Sequence, residues 1–169
     1  MASITQHLRD EHKELYPQVE ALRFAADVVN NSLTTQAHDR IEQAYDFLTH
    51  QLFAHAQAEE AALYPMVQKI MGSELSTSTM VRDHIEIARL TDDLGSLRVH
   101  QSQLTITSIQ AAALRRVLYG LYAVLKLHFA KEEEIYLPLL DSKLAADDAQ
   151  VMFEKMEAAY NEARARLSL

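Results

Sequence analysis

"HAQAEEAALYP" (residues 55–65) and "HFAKEEEIYLP" (residues 128–138) are two versions of one phrase. Each opens on His, places one Glu four residues later and another immediately after it, and closes on Pro. The repeat extends beyond these eleven residues. His128 follows His55 by 73 positions, and "RDEHKEL" (residues 9–15) is echoed by "VRDHIEI" (residues 81–87), with His12 and His84 72 apart. The stretches around the phrases have helical periodicity, with apolar residues at three- and four-residue steps. The spacing predicts four long helices, at about residues 3–29, 36–71, 76–101 and 107–140. A fifth is expected at about 146–167, where Met152, Met156, Ala159, Tyr160, Ala163 and Leu167 form an apolar stripe.

The punctuation agrees with helices of that length. Ser3 or Thr5 offers a cap for the first, "NNSLTT" ends it, "GS" at Gly72 and Ser73 ends the second, and "STST" (76–79) opens the third. Pro17 is expected to kink the first helix or end its first part, and Pro65 to bend the last turns of the second. Short joins between long helices imply antiparallel neighbours. The expected fold is all-α, an up-down-up-down four-helix bundle with an additional C-terminal helix, in one domain over residues 1–169 (bundle about 3–141).

Composition narrows the function classes. The chain has 169 residues, three Gly, three Pro and no Cys, so a turn-rich β fold, a disulfide framework and thiolate chemistry are all disfavoured. A net charge of −8 argues against a surface that tracks nucleic-acid phosphates. No apolar run approaches the ~20 residues of a membrane span. The N-terminal "MASITQHLRDEHKEL" lacks the apolar core of a signal peptide, so the expected compartment is the cytoplasm.

The repeated residues should meet. In an antiparallel bundle the start of the first helix is level with the end of the second, and the same holds for the third and fourth. His12, His55, Glu59, His84, His128 and Glu132 therefore come to one level. Residues four apart share a helix face about 6 Å apart along the axis, so each His points with its Glu at one centre. The neighbours one turn away are mostly apolar, among them Leu15, Val19, Leu48, Leu52, Ile87, Leu121 and Leu125. Imidazoles and carboxylates placed among them need a compensating charge, and a cation supplies it. Imidazole and carboxylate ligands without thiolate suit iron, manganese or zinc. Six ligands about a two-fold axis suit two ions: His12 and His55 on one, His84 and His128 on the other, with Glu59 and Glu132 bridging.

The other polar residues are expected to do less. Glu60 and Glu133 point about 100° further round their helices. They are expected to be solvated or to support the ligands from behind, with Glu133 in reserve for Glu132. Glu11, Glu14 and Glu86 read as surface charges. His7 and His50 read as non-ligands, with His50 a candidate to support a ligand from behind, and His38 and His100 read as exposed. Residues three before each His are Arg9, Leu52, Val81 and Leu125, so the Glu-x-x-His units of ferritin-type sites are absent, as is His-Glu-x-x-His.

"EHKELY" around His12, the two His-x-x-x-Glu units and His84 together resemble the hemerythrin-like family, over roughly residues 6–140. The resemblance implies a non-haem di-iron centre, oxo- or hydroxo-bridged as well as carboxylate-bridged. It also implies a small-molecule partner: dioxygen, hydrogen peroxide or nitric oxide. Oxygen-carrying members have a second His four residues after the third-helix ligand, and here that position is Ala88. The repair-type relatives also lack this pair, so the departure points away from an oxygen carrier. The alternative is oxygen or iron sensing, carriage or storage without turnover. Ala88 is matched across the repeat by Tyr16, four residues beyond His12, where relatives usually have Phe. Tyr16 is thus a candidate either to donate a hydrogen bond to a bound ligand or to ligate iron as phenolate. Tyr64, nine residues past His55, should lie about half a turn away from the site and is the weaker candidate.

Overall fold

The structure is a computed structural model that describes residues 3–99 and 105–167, all helical apart from the joins and a single isolated bridge. Helix α1 is Gln6–Val28 and runs unbroken through Pro17. Helix α2 is a continuous helix over 35–71, begun by the Thr34 side chain, which accepts from the Ala37 N–H. Gly72 ends it in the left-handed conformation (φ 67°), which glycine adopts without steric cost. A 3₁₀ turn, Glu74–Thr77, leads into α3, Ser78–Val99. The expected end of this helix at Gln101, and His100, lie outside the described residues. Helix α4 covers 108–143, opened by a capping box between Thr107 and Gln110. Helix α5 is Ala146–Leu167.

Helices α2 and α4 are not regular throughout. Glu59–Leu63 and Glu132–Tyr136 are π-helical turns, closed by Tyr64 N–H to Glu59 C=O and Leu137 N–H to Glu132 C=O. A third such turn spans Phe47–Leu52. Pro65 and Pro138 follow the first two after one intervening residue. In a regular helix a proline ring meets the carbonyl four residues back, here Ala61 and Glu134. Both carbonyls lie inside the widened turns.

Helix α1 packs on α2 and α4, and α3 packs on the same two helices. The joins after α1 and α3 meet in an antiparallel bridge between Ser32 and Thr105, which are themselves counterparts in the repeat. At the other end Asp141 of α4 anchors the start of α1. It accepts from the Thr5 N–H (2.9 Å), the Ser3 hydroxyl (2.7 Å) and Arg9 (3.1 Å). The Thr5 side chain makes no capping hydrogen bond to α1, and the start of the helix is held instead by Asp141 of α4. No described helix is long and apolar enough to cross a membrane.

The core is in two parts. One apolar cluster includes Val19, Leu22, Leu52, Ile87, Leu125 and Phe129. The other includes Leu8, Ala58, Met80 and Leu137, closed by Met152 and Met156 of α5. Each helix of the four crosses from one cluster to the other at a histidine: His12 lies between Leu8 and Leu15, His55 between Leu52 and Ala58, His84 between Met80 and Ile87. His128 lies between Leu125 and Leu137. The polar residues thus form a layer with an apolar core on both sides, and α5 contributes to the second of them.

Candidate metal centre

All four imidazoles turn Nε2 toward two buried carboxylates. Glu59 is the hub: Oε1 lies 2.8 Å from His55 Nε2 and 3.9 Å from His12 Nε2, and Oε2 lies 3.3 Å from His84 and 3.8 Å from His128. Glu132 straddles the same gap, with Oε2 3.4 Å from His12 and Oε1 3.6 Å from His128. Glu59 and Glu132 are both fully buried. Two groups result, each with ligand atoms within 4.8 Å of one another: His12, His55, Glu59 and Glu132, and then Glu59, His84 and His128. Glu59 belongs to both. Phe129 stacks on His12 (ring centroids 4.7 Å apart, 10° between planes), fixing its tilt.

Each outward-facing Nδ1 has its own carboxylate. His12 meets Glu133 (2.8 Å), His84 meets Glu60 (2.7 Å), His128 meets Asp83 (3.3 Å), and His55 faces Glu11 at 3.7 Å. The pairings obey the repeat: Glu133 and Glu60 are counterparts, as are Glu11 and Asp83. A carboxylate on Nδ1 sets the tautomer that leaves Nε2 free to bind a metal. Arg9 holds Glu133 (2.6 Å) and Lys131 holds Asp83. Glu133 is therefore occupied behind His12 and does not stand in for Glu132. Glu11 is not a plain surface charge, because it bridges His7 (3.1 Å) and the outer side of His55. Asp83 was not singled out from sequence. The signal that could have found it is its match to Glu11, each one residue before a repeated His.

Burial alone would lower the pKa of these imidazoles, and the carboxylates outweigh it. Glu132 and Glu59 push His12 up to about 10. Glu132, Asp83 and Glu59 push His128 up to about 10. Glu59 and Glu60 push His84 up to about 9 despite the like charge of His128. His55 is raised by Glu59. Burial would raise Glu59, but His55, His12 and His128 hold its carboxyl well below the usual range. In the absence of a cation, protons on the imidazoles balance the buried carboxylates.

The tyrosines differ from the sequence expectation. Tyr16 is 38% exposed. The buried stripe of α1 steps from His12 to Leu15 to Val19, which leaves residue 16 on the stripe's outer edge. Tyr64 is fully buried, and its hydroxyl donates to Glu132 Oε1 (3.0 Å) and lies 3.3 Å from His84 Nε2. The half-turn offset expected for Tyr64 assumed 100° per residue throughout. The π turn at Glu59–Leu63 absorbs one residue, which rotates Tyr64 by roughly 100° toward the centre. Burial, then Glu59 and Glu132, raise its phenol pKa, so it stays a donor. His50 is exposed beside Asp46, and half-buried His38 lies near Glu42. Neither approaches the cluster.

A metal ion fits this arrangement on one internal criterion. His12 Nε2, His55 Nε2, both oxygens of Glu59 and Glu132 Oε2 are buried without a hydrogen bond of ordinary geometry, even though His55 Nε2 and Glu59 Oε1 stand 2.8 Å apart. Buried polar atoms are ordinarily paired, and five converging orphans on imidazole and carboxylate groups are what a cation would satisfy. The chain matches the family described as hemerythrin HHE cation binding domain over residues 3–140, and again over residues 75–168. The second match starts as far beyond the first as His84 lies beyond His12. No curated protein and no solved structure matches the chain.

Proposed function

This chain belongs to the hemerythrin HHE cation-binding domain family, and on that premise we propose that it is a non-haem di-iron protein that binds or reacts with dioxygen, peroxide or nitric oxide. The observation that carries the reading is the set of five orphaned buried atoms. His12 and His55 would hold one ion, His84 and His128 the other, and Glu59 and Glu132 would span both, supplemented by an oxo or hydroxo bridge. The fold we infer around them is an up-down-up-down four-helix bundle with an additional C-terminal helix, one domain over residues 1–169. Bound iron would supply one-electron redox change and open coordination positions for a small molecule. The chain's own contribution is positional. Three outer carboxylates hold the tautomers of His12, His84 and His128, Phe129 holds His12, and Tyr64 offers a phenol proton at Glu132.

Ala88 supports reaction over carriage. It leaves the second group with two imidazoles and no third. The deciding measurement is metal content and visible spectrum of aerobically purified full-length chain. Two irons per chain with near-ultraviolet oxo-to-iron bands are expected. One zinc, or no metal after growth in iron-rich medium, would overturn the reading. Oxygen release on adding peroxide then separates turnover from sensing or storage. On the same sample Tyr64→Phe should shift the spectrum, since it removes a hydrogen bond to a bridging carboxylate, whereas Tyr16→Phe should leave it unchanged.

A further inference from the structure

A groove of about 360 Å³ runs between α2 and α3 and ends on the His/Glu layer. Leu52, Ile87, Leu125 and Phe129 form its walls, and Glu59, His84 and His128 form its inner end. Thr49, Ala88 and Leu167 stand at its rim. The repeat shows why it is open on this side. The equivalent face, between α4 and α1, carries Tyr16 where Ala88 stands and Tyr122 where Thr49 stands. There Tyr122 donates to Glu20 (3.2 Å) and accepts from Lys126 (2.9 Å), and Lys126 pairs with Glu20 (3.6 Å), so bulky side chains tie α4 to α1. On the groove side the matching residues are small or do not bridge.

The groove is larger than a diatomic or peroxide ligand requires. Its volume equals that of about a dozen water molecules, in the range of pockets that enclose organic ligands. Its walls are mainly hydrocarbon; Thr49, Thr91 and Asp92 are the polar lining away from the layer, and the inner end holds both buried Glu59 oxygens. Resting on the metal reading, two ferric ions against two carboxylates and an oxo bridge would leave that end positive. We propose that the groove binds a monocarboxylate with a short hydrocarbon tail, about ten non-hydrogen atoms in all, with its head toward the centre and its tail along Leu52, Ile87 and Leu125. The carboxylate would take open positions at the centre, and the tail length the groove accepts would select the ligand.

The test is titration of octanoate and butanoate into the iron-loaded full chain, by calorimetry and by methyl NMR. Saturable one-to-one binding of octanoate, at least tenfold tighter than butanoate, is expected, with methyl shifts at Leu52 and Ile87. Ala88→Tyr, which copies the closed face, should weaken octanoate at least tenfold with iron content and helical signal unchanged. Thr49→Tyr serves the same purpose if Ala88→Tyr does not fold. No saturable binding, no preference for the longer acid, or full binding in these variants would overturn the proposal. Iron content of the same sample tests the metal reading separately. Binding of 1-octanol to the metal-free chain, lost in Ala88→Tyr, supports the groove whatever the iron content, and its absence overturns it.

Discussion

Glu59→Gln is expected to abolish stable metal binding and to cost the metal-free chain more than any other single isosteric change in the layer. Among the described residues only Glu59 sets its two oxygens within 4 Å of all four imidazoles, Oε1 near His12 and His55 and Oε2 near His84 and His128, and it is fully buried. The amide keeps the shape and removes the charge. Each proposed ion loses its shared carboxylate, and in the metal-free chain the four imidazoles are left with Glu132 alone at the centre. Removing one partner from a buried charge cluster costs about 3–5 kcal/mol. For a domain of this size that corresponds to a fall of roughly 10 °C in melting temperature. Glu60→Gln is the control. It touches only the outer nitrogen of His84, and its side chain is a third exposed, so a loss of about 10–100-fold in metal affinity is expected, with little change in metal-free melting. Elemental analysis with calorimetry reads both. Full metal occupancy in Glu59→Gln would remove Glu59 as a bridge.

The stabilisation gained from metal should grow with pH. In the metal-free chain His12, His84 and His128 have folded pKa values raised to about 10, 9 and 10, against about 6.5 unfolded. Groups raised on folding contribute stability that is complete below the unfolded value and disappears as pH rises through the folded one. The carboxylates that face these imidazoles are Glu59, Glu132, Glu60, Asp83, Glu133 and Glu11. Glu59, depressed on folding, contributes stability above its ordinary pKa and loses it as pH falls through its low folded value. Metal-free melting temperature should therefore be highest near pH 5–6.5 and decline toward pH 10. Metal needs neutral imidazoles, so loading releases protons and tightens over the same interval. At a free-ion concentration about a thousandfold above Kd, one ion stabilises by about 4 kcal/mol, or about 10 °C here. The difference between loaded and chelated samples is expected to be small at pH 5.5 and to exceed 10 °C at pH 8.5. A difference that is constant across this range would show that the imidazoles are not the ligands.

The repeat made much of the centre legible, because the features involved are local and periodic. Four residues on a helix put His55 beside Glu59 and His128 beside Glu132, and an antiparallel hairpin brings His12 and His84 to their level. Those inferences need only the helical pitch and the length of the joins. Where the pitch changes they fail. Tyr64 was placed on the wrong side because a π turn is set by backbone packing around Pro65, and the sequence pattern does not encode its phase. Tyr16 was overvalued because a four-residue step from His12 leaves the buried stripe, which follows a three-residue step at that point. Glu11 reads as a surface charge from sequence, and Asp83 is not singled out, because what they face belongs to other helices.

The amino-acid sequence alone therefore settles which residues are duplicated, that they lie on helices, and which apolar neighbours line their faces, because these depend on spacing within a helix. The assignment of each Nδ1 to its own carboxylate depends on contacts between residues far apart in the chain. The same is true of the placement of the polar layer between two apolar clusters, one of them completed by α5, and of the groove beside Ala88, where the counterpart face beside Tyr16 has Tyr122, Lys126 and Glu20 joined across α4 and α1. Side-chain volume and helix rotation decide these features only once the four helices have packed.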